Sequence, residues 1–201
     1  MHSVFITGVP TSGKTYLAQK MASRFGMIHV KTDDMREEMI KDPLLKPWVN
    51  FFWDKEETHY LETTSYDEQW DHLVQQSEAF WPTMKKKIED ALAKGQPTIF
   101  EGVNLLPHLM QECSLNGIVL LGSTEEEMLK RLKEHPRWGN TEELQRRETK
   151  AFFGSDRPYY AAEAQRYGFP SFSDSHKAEE ELVKMIMQEK KYYSFIEKNN
   201  V

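Results

Sequence analysis

The opening fifteen residues constrain the fold more than any other stretch of this chain. Ser3 to Thr7 is a short apolar run of strand character, and Gly8-Val-Pro-Thr-Ser-Gly13-Lys14-Thr15 follows with the spacing G-x-x-x-x-G-K-T. This is the phosphate-binding P-loop pattern, in its required context of a strand before and a helix after. Gly8 and Gly13 let the backbone curl so that its N–H groups converge on phosphate oxygens. A helix starting at Lys14 adds its positive dipole end at the same place. Lys14 can reach the β- and γ-phosphates, and the Thr15 hydroxyl can ligate Mg²⁺. Pro10, Thr11, Ser12 and Tyr16 complete the candidate nucleotide site.

Beyond this loop, strand-like and helix-like stretches alternate. Leu17, Met21 and Phe25 form one helical stripe that Gly26 closes. Met27 to Lys31 reads as a second strand, and Thr32-Asp33-Asp34 opens a helix over Met35 to Ile40. From Pro43 to about Trp81 the chain is rich in aromatic residues, and the expectation is a helical insertion rather than a loop of that length. Trp48, Phe51 and Phe52 at i, i+3, i+4 read as one core-facing helical side. Met84, Ile88, Ala91 and Leu92 then keep helical spacing until Gly95 ends the helix. Pro97 to Phe100 and Gly117 to Leu121 read as buried strands, and Phe169 to Phe172 as a weak last one. Lys130 to Pro158 carries Arg131, Arg137, Arg146, Arg147 and Arg157, with Gly139 and Gly154 as breakers. The end of the chain reads as an amphipathic helix with Leu182, Val183, Ile186 and Phe195 inward.

Such alternation requires crossover connections and a parallel sheet, and ligands of such sheets bind beyond the C-terminal strand ends. That rule gathers Gly8 to Thr15, Asp33, Asp34, Glu101 and Ser123 at one edge. Asp33 can accept or orient a hydroxyl proton, and Arg36, one turn on, can hold an anionic acceptor. The competing interpretation is helix capping with a surface ion pair. Glu101 ends the third strand, where it can serve a metal through water or bind the acceptor, and Gly102 permits a close approach. Of the five arginines, Arg137 is the first choice for a lid residue, since Pro136 and Gly139 place it in a loop; Arg131 is second. An arginine in that role is worth about 10³-fold or more in rate.

The whole-chain properties exclude several classes. With 201 residues, one domain spanning 1–201 is expected. The net charge of −6 weighs against a nucleic-acid surface, which needs clustered excess Lys and Arg. Cys113 is the single cysteine, so no internal disulfide forms. No apolar run approaches the roughly 18 residues of a membrane span. A strand within three residues of the start leaves no room for a signal peptide, and a cytoplasmic location is the expectation. The histidines lack metal-ligand spacing.

The first 40 residues, with Glu101-Gly-Val-Asn-Leu-Leu-Pro107, resemble the small P-loop kinases. That group holds shikimate and gluconate kinases, chloramphenicol phosphotransferase, polynucleotide 5′-kinase and zeta-type toxin kinases. Thr32-Asp-Asp-Met-Arg-Glu37 and the Glu101–Pro107 segment look most like 2-phosphoglycerate kinase-like proteins. The resemblance implies an α/β P-loop NTPase fold, with a five-stranded parallel sheet in order 2-3-1-4-5 and helices on both faces. It also implies an acceptor-binding insertion, here residues 43–81, and an arginine-bearing lid, here 130–158. The acidic residue after strand two would be Asp33 and the acceptor-holding arginine Arg36. No hydrophobic-Asp Walker B strand is evident, so Asp33 or Glu101 must serve the metal beside Thr15. The implied activity is transfer of a phosphoryl group from ATP, with Mg²⁺, to a hydroxyl of a small metabolite, anionic ones included, with Lys14, Asp33 and Arg137 catalytic. A polynucleotide or nucleotide-sugar kinase and a regulatory ATPase remain as alternatives. The guanine signature N-K-x-D is missing.

Overall fold

A computed structural model describes residues 1–52 and 54–187. Its frame is a five-stranded sheet in which every pairing is parallel: β1 (Val4–Gly8), β2 (Ile28–Lys31), β3 (Thr98–Glu101), β4 (Asn116–Leu120) and β5 (Ser171–Phe172). The order is β2-β3-β1-β4-β5, as the resemblance implied. β1 is central and buried along its whole length, which accounts for its unbroken apolar run.

Because successive side chains leave opposite faces of a strand, the sheet divides the apolar residues into two cores. Val4, Ile6, Ile99 and Ile118 face one side with Leu17 and Met21 of α1 (Lys14–Phe25) and Leu182 and Ile186 of α10 (Ser175–Met187). Phe5, Phe100 and Val119 face the other, larger core. It is covered by α5 (Tyr66–Ala93), α6 (Pro107–Met110) and α9 (Arg157–Tyr167), through Phe80, Met84, Leu109 and Tyr160. Cys113 packs at the margin of this core.

Several local expectations are corrected. Thr32–Met35 is a 3₁₀ turn, followed by α2 (Arg36–Met39), so Asp33 and Asp34 lie within a turn and not at a helix cap. The aromatic insertion is helical, and its last helix continues past Trp81 toward Gly95, as the spacing predicts. α5 runs from a capping box at Ser65 and Glu68 through Pro82 to Ala93. Before it come α3 (Lys46–Val49) and α4 (Glu57–Thr63). Because α3 stops at Val49, Trp48, Phe51 and Phe52 do not share a helical side. Phe51 and Phe52 occupy the following turn, half-buried, with ring centroids 5.1 Å apart. α7 (Glu125–Glu134) and α8 (Glu142–Ala151) are separated by a loop around Gly139, as expected. Gly154 breaks nothing. It lies in a π-helical turn, Phe152–Asp156, that joins α8 to α9, and a Cβ there would meet the Tyr66 ring at 2.4 Å. Phe195 lies outside the described residues. Among those residues, no helix is long and apolar enough to cross a membrane.

Candidate functional site

The loop after β1 is wound tightly for local reasons. Gly8 has φ +127°, and a Cβ there would lie 2.0 Å from the Leu120 carbonyl oxygen of β4, so no other residue fits. Thr11 has φ +59°, a strained value for a residue with a branched side chain, of the kind concentrated at ligand sites. The Thr11 and Ser12 hydroxyl oxygens are buried without partners. Lys14 is buried and donates to the carbonyls of Gly8 at 2.8 Å and Val9 at 2.7 Å. Burial lowers its pKa from 10.5 to about 8, against the opposing pull of Glu101. Thus the loop holds a desolvated cation and two hydroxyls with nothing to bond, which an anion would satisfy.

Thr15 Oγ1 donates to Glu101 Oε1 at 2.9 Å, across from β1 to the end of β3. Glu101 is buried and also faces His29, whose Nε2 is 3.6 Å away. A hydroxyl and a carboxylate are the hard oxygen donors that Mg²⁺ takes, and it keeps waters and phosphate oxygens for its other positions. The pair fits that ion. Of the two carboxylates that the sequence offers for the metal, Glu101 is the one bonded to Thr15. Among the described residues no cluster of three or more His, Cys, Asp or Glu is arranged to hold a metal by itself.

Asp33 faces the same groove and pairs with Arg36 at 3.6 Å. Arg36 Nη2 donates to Asn104 Oδ1 at 2.6 Å, and Asn104 Nδ2 donates to Gln76 Oε1 and Ser77 Oγ of α5 at 3.1 and 2.9 Å. The buried Asn104 thus fixes the guanidinium from the other side of the sheet edge. Arg36 Nε remains buried and unpartnered, and burial lowers the pKa of the group. Asp34 is exposed and lines neither cavity described below.

Gly102 is explained by the chain itself. Its carbonyl accepts from Thr7 Oγ1 at 2.9 Å, and a Cβ on it would lie 1.8 Å from Thr32 Oγ1. The close approach foreseen there comes from Thr32. Gly102→Ala is expected to lose about 1–3 kcal/mol of stability, and Thr32→Ala in the same chain should recover most of it, because the Thr32 hydroxyl has no partner to lose. Urea unfolding of the two single variants and the double variant checks this; additive losses would refute the clash.

Two cavities open at this edge. One, of about 690 Å³, runs along Thr11 to Tyr16 and past Asp33, Glu101 and Arg131. The other, of about 140 Å³, is apolar for most of its wall and is bounded by Pro10 and Arg36 at the loop side and by Phe52, Tyr60 and Trp138 beyond. Pro10 belongs to this second cavity rather than to the nucleotide groove. Val103 and Arg137 line both, and Val103 is held by Tyr160, whose hydroxyl donates to its carbonyl. Arg131 Nη1 donates to the Thr11 carbonyl at 3.0 Å and pairs with Glu127. The other three arginines are elsewhere. Arg146 and Arg147 pair with Glu142, Glu143 and Glu62, and Arg157 lies over Phe153.

Sequence reasoning missed two acids. Asp156, in the π-helical turn, has its carboxyl pKa raised to about 7 by burial, with Lys14 and Arg137 pulling it back. Glu148 of α8 is buried and likewise raised to about 7, by burial and by Glu57, with Arg137 opposing. Both line the smaller cavity. Neither follows a strand, so the sheet-edge rule had no means of finding them.

Residues 4–152 match a family model described as an AAA domain. The chain belongs to the AAA domain family. Among solved structures this AAA domain is similar to shikimate kinase from Acinetobacter baumannii in complex with shikimate, at 10% identity, 92% of this chain, 93% of that one and a TM-score of 0.52. It is similar also to TT1252 from Thermus thermophilus, at 17% identity, 92% and 96% coverage and a TM-score of 0.55. A protein from Eubacterium ventriosum aligns at 14% identity, 92% and 97% coverage and a TM-score of 0.50. At such identities the likeness is one of fold, that of the small P-loop kinases. A search of curated proteins found no match.

The three buried ionisable groups predict how this AAA domain responds to pH. Folded, Asp156 and Glu148 keep their protons up to about pH 7, well above the ordinary 3.8 and 4.5, so stability falls as pH rises through that window. Lys14 gives up its proton near pH 8 when folded and near 10.5 when unfolded, so stability rises across that window. The ligand-free protein is therefore expected to melt lowest between about pH 7 and 8. A melting series from pH 5 to 10 checks it, and a maximum near neutrality would contradict it.

Proposed function

We propose that the protein transfers the γ-phosphoryl group of ATP, with Mg²⁺, to a hydroxyl of a small molecule held in the smaller cavity. The observation that carries this reading is the shared boundary at Val103 and Arg137. A nucleotide along the loop and an acceptor against Phe52, Tyr60 and Trp138 would meet end to end there. A regulatory ATPase has no use for a second cavity opening onto its phosphates. The shikimate kinase likeness in fold agrees with the reading but does not choose the acceptor.

Lys14 and the loop N–H groups would hold the donor phosphates, and Arg137 would lie over the transferred group. Thr15 and Glu101 would hold Mg²⁺, which when bound neutralises phosphate charge. The acceptor oxygen forms a bond to the γ-phosphorus as the bond to the β-bridging oxygen breaks. The hydroxyl proton passes to a carboxylate. Asp33, the sequence choice, lies on the donor side. Asp156 lies in the acceptor cavity, close enough to feel both Lys14 and Arg137, and its raised pKa suits a general base near neutrality. In this reading the chain is one kinase domain, with 43–81 as acceptor wall and 130–158 as lid.

The test is ADP release from ATP and Mg²⁺ across a panel of sugars, hydroxy acids, amino alcohols and nucleosides. An acceptor that raises ADP release and yields one phosphorylated product per ADP supports the assignment. If no acceptor does so, and Asp156→Asn and Asp33→Asn leave basal hydrolysis unchanged, the kinase reading falls.

A further inference from the structure

The smaller cavity has a chemistry of its own at the end remote from the phosphate loop. Phe52, Tyr60 and Trp138 come from three separate segments: the turn after α3, helix α4 and the loop between α7 and α8. Their ring centroids lie 6.0 Å (Phe52–Tyr60), 6.4 Å (Phe52–Trp138) and 5.6 Å (Tyr60–Trp138) apart. Glu148 lines the same cavity with only 3% of its surface exposed, and its Oε2 is buried with no hydrogen-bond partner. Behind it Glu57, 7% exposed, has an unpartnered buried Oε1, and its carboxylate lies against Gly139 of the loop that carries Trp138. A buried carboxyl group with a vacant oxygen in a wall shared with three aromatic rings, and a second such group behind it, form an arrangement that costs free energy when empty. A cation repays that cost twice, through charge and through the ring faces.

The geometry points to an acceptor that carries a positively charged nitrogen: a small amino alcohol whose ammonium group sits among Phe52, Tyr60, Trp138 and Glu148 while its hydroxyl reaches Arg137 and Asp156. This rests on the phosphotransfer reading for the hydroxyl end, whereas the ammonium end stands on the cage alone. It reverses the anionic acceptor expected from Arg36, whose Nη2 is taken up by Asp33 and Asn104 while its Nε stays free.

The charged groups at the cage include a cation of the chain itself: Lys55 Nζ lies 5.7 Å from the Tyr60 ring centroid and 4.4 Å from that of Phe51, so it competes for the outer face of Tyr60. Glu57 of α4 raises the Glu148 pKa and Arg137 lowers it. Arg36 and Asp156 line the cavity nearer the loop. Arg137 is the competitor for Glu148, because a swing of its guanidinium would supply the missing partner. In that case a cation gains nothing there.

Calorimetric titration of the full chain decides between them, with three probes. These are choline, its uncharged carbon analogue 3,3-dimethyl-1-butanol, and glycerate as an anion. The expected result is choline binding about tenfold or more tighter than the analogue, with glycerate weakest. Glu148→Gln should remove most of that preference without lowering the melting temperature, since it replaces a buried acid by a neutral amide of the same shape. Trp138→Leu should weaken choline more than the analogue. Equal binding of choline and the analogue, tighter binding of glycerate, or an unchanged preference in Glu148→Gln would each overturn the inference. Choline binding without phosphorylation of any amino alcohol would leave the cation site standing and count against the phosphotransfer reading. Phosphorylation of a neutral or anionic acceptor, unaffected by Glu148→Gln, would do the reverse.

Discussion

Replacing Lys14 by alanine is expected to lower kcat/KM for ATP by about 10³-fold, the order of loss seen when a preorganised charge partner is removed from a reacting group. Its side chain is buried at the loop and points at the Gly8 and Val9 carbonyls. Those two bonds are a resting arrangement. They use donors that an incoming phosphate would take over, and the anion would raise the Lys14 pKa back from about 8. Stability should change little, because two hydrogen bonds are lost while one desolvated charge is removed. Nucleotide titration together with ADP release checks both halves. Activity within tenfold of the parent protein would show that the loop does not bind phosphate through this lysine.

Arg137→Ala is expected to lower kcat by about 10³-fold while ATP affinity falls less than about tenfold. The residue is exposed on the loop between α7 and α8 and lines both cavities. An exposed loop side chain carries little of the folding free energy, so the melting temperature should stay within the range of ordinary surface substitutions. Arg137→Lys should restore only a fraction of the rate, since an ammonium lacks the planar fork that grips phosphate oxygens in pairs. Arg131→Ala should behave differently. Its Nη1 donates to the Thr11 carbonyl, so its loss should loosen the loop and appear mainly as weaker ATP binding. Equal kcat losses for both variants would dissolve the distinction between the two arginines.

Legibility in the sequence followed the range of the forces involved. The G-x-x-x-x-G-K-T spacing is a local backbone requirement, and the structure honours it with Gly8 at φ +127° and Gly13 at φ +99°. Buried strands announce themselves through continuous apolar runs, so β1 and β4 could be read directly, and alternation with helices implied the parallel sheet. The helical insertion and the helix stop before Gly95 were also foreseen, but the division into α3, α4 and α5 was not. Packing of Phe80, Met84 and Ile88 on the larger core carries α5 through Pro82. Gly154 misled, because its lack of a side chain serves contact with Tyr66 and not a chain break.

By itself the sequence determined a phosphate loop, an α/β sheet with that loop at its edge, and a set of carboxylates and arginines near strand ends. Each of these is set by short-range pattern. Only the tertiary structure decided which of those residues share a site. It joined Thr15 to Glu101 across two strands, turned Arg36 toward Asn104, and brought Asp156 and Glu148 to a cavity that no strand-end rule predicts. These are contacts between segments far apart in the chain, and their energies depend on burial and on partners. A side chain acquires those only when the helices close over the sheet.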